Sequence, residues 1–270
     1  MQSTFAGIIA AFFIVGAAMI AIERLWPAVR GQRVLRRGFL LDLAYWAFTP
    51  LVTRAISRLG VILALALLAL AQGLSVERAT FDAFLAGHGP IGAQPKWLQA
   101  IEMLFLLDFL AYWMHRLFHG RRLWPFHEIH HSSEELDWLS SVRVHPVNDL
   151  VNRVVPAVLV VLAGFSPLVL AGALPFLAIY AVLLHANVDW DFGRLRTVIA
   201  SPAFHRWHHT GTEDGRDKNF AGLFPLWDLM FGTYYMPGRV PGRFGVDRPV
   251  PGTLWGQLAW PFRRRRVAPP

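Results

Sequence analysis

Four long apolar blocks constrain this 270-residue chain more than any other feature of its sequence: Phe5 to Ile22, Phe39 to Leu70 with interruptions, Trp97 to Phe118, and Val154 to Leu184. A helix needs about 20 apolar residues to cross the hydrocarbon of a bilayer, and each block is near or above that length. Composition agrees, with 54% hydrophobic and 16% charged residues against about 25% charged in ordinary soluble domains. The expected fold class is all-α: an integral membrane helical bundle of about four net crossings, some made as broken helices or as a hairpin.

Charge gives the bundle a direction. The first block has no basic residue before it and is followed by Arg24, Arg30, Arg33, Arg36 and Arg37, so it reads as an anchor with its N-terminus outside rather than as a cleaved signal. Residues 38–72 then leave the cytoplasm. As one helix they would run roughly 52 Å, too long for a ~30 Å core. With Pro50, Arg54 and Arg58 inside, this stretch is expected to be broken, tilted or partly re-entrant. Residues 97–118 return, and residues 150–185, divided near Gly164, Ser166 and Pro167, form a hairpin. From Ser201 onward the chain is more polar and rich in Gly and Pro, and is expected in the cytoplasm. The chain divides into membrane helices over 1–96, a histidine-bearing region over 97–237, and a basic tail over 238–270. The net charge of +8, including Arg263 to Arg266, fits the positive-inside bias rather than a nucleic-acid partner. The absence of cysteine excludes disulfides, thiolate metal sites and a cysteine-held iron–sulfur cluster.

Histidine is the second constraint. Of eleven histidines, His115 and His119 form an HxxxH pair, and His127, His130 and His131 form HxxHH. His205, His208 and His209 repeat the second spacing. On a helix, residues three and four apart share a face, so each cluster can aim imidazoles at one point. The crossing count brings all three clusters, and His185 at the end of the hairpin, to the cytoplasmic side. Neutral imidazole suits iron, zinc, copper and nickel, and a mononuclear site uses three or four protein ligands. The surplus therefore points to two metals held by His115, His119, His127, His130, His131, His185, His205, His208 and His209. Asp108, Tyr112, His115 and His119 lie on one helical stripe. Asp108, in an otherwise apolar run, either orients a liganding histidine or pairs with an arginine of a neighbouring helix. His145 is a ligand or positions one. Asp189 would share a face with His185 if that helix continues, and Asn187 is a weaker candidate. His88 reads as a loop residue on the opposite side.

These residues resemble the fatty acid hydroxylase and sterol desaturase superfamily of membrane di-metal enzymes. Its pattern of HxxxH, HxxHH, one histidine after a membrane hairpin, then HxxHH is matched from His115 through His209. The likeness extends to Asp108 with Tyr112-Trp113-x-His115-Arg116, and to Arg143-x-His145-Pro146. It continues through Asn219-Phe220, Trp227-Asp228 and Phe231-Gly232-Thr233-Tyr234-Tyr235-x-Pro237. Around His185 some relatives carry a second histidine, where this chain has Asp189. The resemblance implies a non-haem di-iron centre that uses O2 to hydroxylate or desaturate a lipid C–H bond on the cytoplasmic side. No fused haem or ferredoxin domain is evident, so the implied electron donor is external.

An all-imidazole cage leaves metal charge uncompensated, which draws attention to Asp108, Asp189 and Asp228. Trp113, Phe118, Trp124, Phe126, Trp138 and Trp207 could wall an apolar path for the lipid. Arg116, Arg121, Arg122, Arg206 and Arg239 could receive an acidic redox protein. Two rival readings stand beside this one. His127-Glu128-Ile129-His130-His131 also satisfies HExxH, a zinc protease motif with Glu as general base, but a protease leaves the other clusters unused. A metal transporter or storage protein would spread polar residues through its spans, whereas here the histidines collect at one membrane face. Substrate, oligomeric state and the choice between hydroxylation and desaturation stay open.

Overall fold

The apolar blocks become helices, and both ends of the bundle they build can be followed residue by residue. The structure, a computed structural model, describes residues 2–73, 82 and 86–263, and no strand occurs among them. Helix α1 spans Gln2–Leu25. Helix α2, Phe39–Phe48, continues through a π-helical turn, Thr49–Thr53, into α3, Arg54–Ala71. Next come α4 (Lys96–Phe118), α5 (Trp124–His131), α6 (Pro146–Leu162) and α7 (Pro167–His185), followed by the short helices α8 (Pro202–His208), α9 (Leu226–Met230) and α10 (Leu254–Ala259). Among the described residues, three stretches are long and apolar enough to cross a membrane: Phe39–Ala71, Lys96–Phe118 and Pro167–His185.

The second block does not break at Pro50. Proline lacks an N–H and its ring crowds the carbonyl four residues back; here the helix widens to a π turn across Pro50 and carries on. The result is a continuous 33-residue helix, tied on one flank where the Thr49 hydroxyl donates to the Val142 carbonyl at 3.1 Å. The hairpin is present as α6 and α7. Its turn needs Gly164, whose φ is +96° and whose added Cβ would lie 2.5 Å from the His88 carbonyl oxygen.

Contacts at the two ends fix the helix directions. At one end, the Glu23 carboxylate accepts from the backbone N–H groups of Trp138 (2.9 Å) and Asn187 (2.8 Å), joining the end of α1 to the end of α7. The start of α2 meets the same place through a buried set of four charges. There Arg36 donates to Asp42 (2.8 Å) and Asp137 (2.6 Å), and Arg143 donates to Asp42 (2.6 Å). At the other end, the His88 ring donates to the Val161 carbonyl at 3.0 Å and the Ser166 N–H donates to Gln99 at 3.3 Å. His88 thus sits in a loop opposite the histidine clusters. A 2.6 Å bond from Ser57 to Asp149 and packing of Leu65 on Val161 run α3 and α6 in the same direction. Four helical legs, α2–α3, α4, α6 and α7, therefore connect the two ends, and the end of α1 joins the first of them.

The region after Ser201 does not all lie beyond the helix ends. Residues 220–231 run alongside the middle of α4, where Phe224 stacks on Phe105 with centroids 4.4 Å apart and Trp227 packs on Phe109 at 5.0 Å. Residues 238–263 are also packed: Trp260 joins Leu41, Tyr45 and Ile129 in a buried cluster. Arg264, Arg265 and Arg266 lie outside the described residues.

Candidate metal centre

Helix geometry sorts nine imidazoles into two groups. His115, His119, His127, His131 and His208 each offer a nitrogen within 4.8 Å of the others, and His130, His185, His205 and His209 do the same. His115 lies in the last turn of α4 and His119 caps it; His185 closes α7. Helix α5 supplies His127, His130 and His131, while α8 and its cap supply His205, His208 and His209. Within the shared face, position i+4 lies about 40° to one side of position i and position i+3 about 60° to the other. His127 and His131 accordingly serve the group of five while His130 turns to the group of four. The third cluster reverses this assignment: His205 and His209 serve the group of four, and His208 the group of five. Each HxxHH motif thus spans both groups.

The facing atoms are Nε2. Separations are 3.0 Å for His115–His127, 3.2 Å for His127–His131 and 3.0 Å for His131–His208 in the first group. In the second they are 3.2 Å for His130–His185, 3.2 Å for His185–His205 and 3.1 Å for His205–His209. Two imidazole nitrogens each about 2.1 Å from one ion, at tetrahedral or octahedral angles, lie about 3.0–3.4 Å apart.

The opposite ring nitrogens determine what those Nε2 atoms carry. Nδ1 of His115 donates to the Phe220 carbonyl (2.8 Å), that of His208 to the Lys218 carbonyl (2.8 Å), and that of His127 to the Asn148 side-chain oxygen (2.7 Å). Nδ1 of His130 donates to the Arg143 carbonyl (3.2 Å) and that of His185 to the Ala181 carbonyl (2.7 Å). Carbonyl oxygens only accept, so these rings hold their proton on Nδ1 and, when neutral, present a bare lone pair at Nε2. His115 against His127, and His130 against His185, are then lone pair against lone pair at hydrogen-bond distance. A cation between them removes the repulsion. The His119 Nε2 and His205 Nδ1 atoms are buried with no hydrogen-bond partner, and His119 donates from Nδ1 to Asp217 at 2.8 Å. Donor set, spacing and tautomers all fit metal ions.

Burial holds the imidazoles neutral. It pushes His127, His130, His131, His205, His208 and His209 well below the ordinary imidazole range, and repulsion from neighbouring imidazoles adds to it. For His119 burial also wins, although the Asp217 carboxylate opposes it.

Residues 217–220 act as a strap of acceptors: the Asp217 carboxylate, the Lys218 carbonyl and the Phe220 carbonyl each take a histidine proton. Asp217 and Asn219 adopt φ of +55° and +57° to make this possible. Asn219 secures the strap by donating to the Phe204 and Tyr235 carbonyls at 2.9 and 2.8 Å. Asp228 accepts from the Phe220 and Ala221 N–H groups (2.8 and 2.9 Å), and Asp108 accepts from those of Leu223 and Phe224 (2.8 and 2.7 Å). Asp108 therefore bonds neither a histidine nor an arginine. It acts on His115 only through the loop whose Phe220 carbonyl holds that ring.

The structure separates the remaining candidates from the two groups. His145 caps α6, accepting from Val147 N–H on Nδ1 (3.1 Å) and donating from Nε2 to the Leu258 carbonyl (3.2 Å). Both its nitrogens are engaged away from the imidazoles. Helix α7 stops at His185, so Asp189 is exposed and off that stripe. Asn187 binds the 26–29 turn through Val29. Glu128 faces the other way, paired with Arg248 and accepting from Trp260 at 2.9 Å, so it does not stand over the histidines as a protease base. Arg206 is buried, with its guanidinium 4.6 Å over Phe244 and donating to the Leu136 carbonyl at 3.1 Å; it offers nothing to a docking partner. Arg116, Arg121, Arg122 and Arg239 remain exposed. Among the aromatic candidates, Phe118, Trp138 and Trp207 are buried, whereas Trp113, Trp124 and Phe126 are partly buried. Asn148 and Asp217 were not singled out from sequence. A polar side chain in the first turn of an apolar helix was the available signal for Asn148; nothing local marks Asp217.

Residues 100–233, which include all nine clustered histidines, match the fatty acid hydroxylase family. This region belongs to the fatty acid hydroxylase and sterol desaturase superfamily. Similar superfamily members include the ornithine lipid hydroxylase of Rhizobium tropici, 34% identical over 63% of this chain and 52% of its own length. The alkylglycerol monooxygenase of Danio rerio is 33% identical over 59% of this chain and 36% of its own. The lathosterol oxidase of Mus musculus is 26% identical over 58% and 52%. The chain thus spans about half the length, or less, of these relatives. No solved structure matches it.

Proposed function

We propose that this chain is a membrane-bound oxidoreductase that uses two histidine-held iron ions and O2 to hydroxylate or desaturate a lipid C–H bond, with electrons from an external donor. The opposed bare Nε2 atoms in both groups carry this reading, because neutral rings so arranged need a cation between them. The groups of five and four imidazoles would each hold one ion. When bound, the ions would supply the binding and reductive activation of O2. Hydroxylation would place one oxygen atom in the lipid and the other in water, consuming two electrons and two protons per turnover.

The chain's own part is positional. Carbonyl and amide acceptors fix the ring orientations, and the bundle places both groups at one end of long apolar helices, within reach of a lipid chain. Positive-inside bias, from Arg24 to Arg37 after α1, supports a cytoplasmic site and an external N-terminus. The exposed Arg116, Arg121, Arg122 and Arg239 offer a surface to an acidic redox protein, and residues 97–237 form the catalytic unit in this reading. The relatives' names support a lipid substrate. The Glu128–Arg248 pair weighs against zinc proteolysis.

Iron-loaded protein in lipid nanodiscs, supplied with a reductant and isotopically labelled O2, tests this directly. The expected result is label in a hydroxylated lipid, or a new double bond, by mass spectrometry. Peptide cleavage with zinc and no lipid oxidised under any electron supply would overturn it.

A further inference from the structure

Helix α7 has 19 residues from Pro167 to His185, about 28 Å at 1.5 Å per residue. To cross a ~30 Å hydrocarbon layer it must place nearly its whole length inside, so His185 marks a level close to the boundary. His115 lies beside the adjoining group at the end of α4 and shares that level. Phe105 is ten residues earlier on α4 and therefore about 15 Å deeper. It stacks on Phe224, and above it Phe109 packs on Trp227 and Trp113 on Phe231, at 5.0 and 4.9 Å. Residues 220–231 thus descend along α4 to mid-depth and climb back, and Thr233 meets the Tyr112 hydroxyl at 3.0 Å.

Non-helical backbone at that depth has no water to bond, and survives only where protein satisfies it. Two carboxylates do so here. Asp228 takes the N–H groups of residues 220 and 221, while Asp108 takes those of 223 and 224 and the Trp227 indole N–H at 3.0 Å. Away from α4 the turn exposes Leu226, Leu229 and Met230, the last at 62%. Between Gly222 and Gly232 the only charged side chain is the buried Asp228. Exposed Ile101 and Phe105 continue the apolar surface on α4. A water-soluble partner or an acidic redox protein finds no complement there; hydrocarbon does.

We propose that residues 220–231 form a re-entrant wedge in the leaflet next to the histidine groups, with Leu226, Leu229 and Met230 against lipid acyl chains. Asp108 is the positioning residue that makes the turn tolerable there. The inference rests on reading α4 and α7 as membrane-crossing.

The chain has no cysteine, so Met230→Cys introduces a unique thiol at an exposed position. A spin label there, in nanodiscs, is compared for collision with O2 and with a water-soluble nickel chelate, against Ile179→Cys on the exposed face of α7 and Glu213→Cys on the polar cap. The expected result is that the Met230 and Ile179 labels both collide several-fold more with O2, relative to nickel, than the Glu213 label. Nickel access at Met230 equal to that at Glu213, with Ile179 still shielded, overturns the wedge alone. Nickel access at Ile179 as well overturns the membrane-crossing reading and the wedge with it. In the Met230→Cys background, Asp108→Ala is expected to raise nickel access at the label several-fold and Asp108→Asn less so. An unchanged label in both variants overturns the role given to Asp108.

Discussion

His130 stands between His127 and His131 in the chain, yet its ring belongs to a different group, and its proton goes to the Arg143 carbonyl instead of to a side chain. Such acceptors set the tautomers on which metal affinity depends. Asn148→Ala removes the acceptor from His127 Nδ1, a buried bond of 2.7 Å. It is expected to weaken metal binding in the group of five by about 10–100-fold, read by titration against a competing chelator, while the group of four keeps its affinity. Asp217→Asn should do less, because Asp217 is 60% exposed and asparagine still offers an oxygen. Glu128→Gln gives a separate test at this scale. It should leave metal content unchanged and lower stability by about 1–2 kcal/mol through the partly exposed Arg248. Loss of a metal-dependent peptide cleavage, with stability unmoved, would instead revive the protease reading.

At the scale of elements, the spacing within α5 and α8 was legible because 3.6 residues per turn converts i, i+3 and i+4 into directions. Which histidine joins which group was not, since that depends on how the two helices cross. The same limit explains Asp108. Its place on the stripe of His115 and His119 was readable, but its partners Leu223, Phe224 and Trp227 lie far along the chain. Asp189 leaves the His185 stripe for a tertiary reason too: Val188 bridges to Pro27, outside the helix that ends at His185. Pro50 showed that a strong local breaker can be absorbed by a π turn.

Packing these elements buries imidazoles that the unfolded chain leaves in water, and pH follows from that. The folded pKa of His127, His130, His131, His205, His208 and His209 lies well below the unfolded value. Below about pH 6.5 the unfolded state therefore binds more protons, and stability falls as pH falls. Each histidine that stays neutral adds a slope of about 1.4 kcal/mol per pH unit in that window. Thermal unfolding of metal-free protein in detergent should show Tm level above pH 7 and dropping between pH 6.5 and pH 5. A Tm that rises on acidification would contradict buried neutral rings.

Across the whole molecule, four helical legs, the end of α1 and the C-terminal region converge on one end. The Arg36–Asp42–Asp137–Arg143 set holds α2 to the loop after α5, where one partner alone would be a costly buried charge. This convergence gives two groups of imidazoles that share helices but no ring. The stoichiometry of iron should report that separation. Wild-type protein is expected to bind two ions per chain, His130→Ala to lose the ion of the four, and His208→Ala to lose or loosen that of the five. The double variant should approach none, with helix content retained by circular dichroism. Each remaining ion should stabilise its variant by about 2.7 kcal/mol when free metal is a hundredfold above Kd, which a metal-dependent Tm detects. If either single variant empties both groups while its helices persist, the nine imidazoles form one inseparable cluster. If neither changes the count, the histidines are not the ligands.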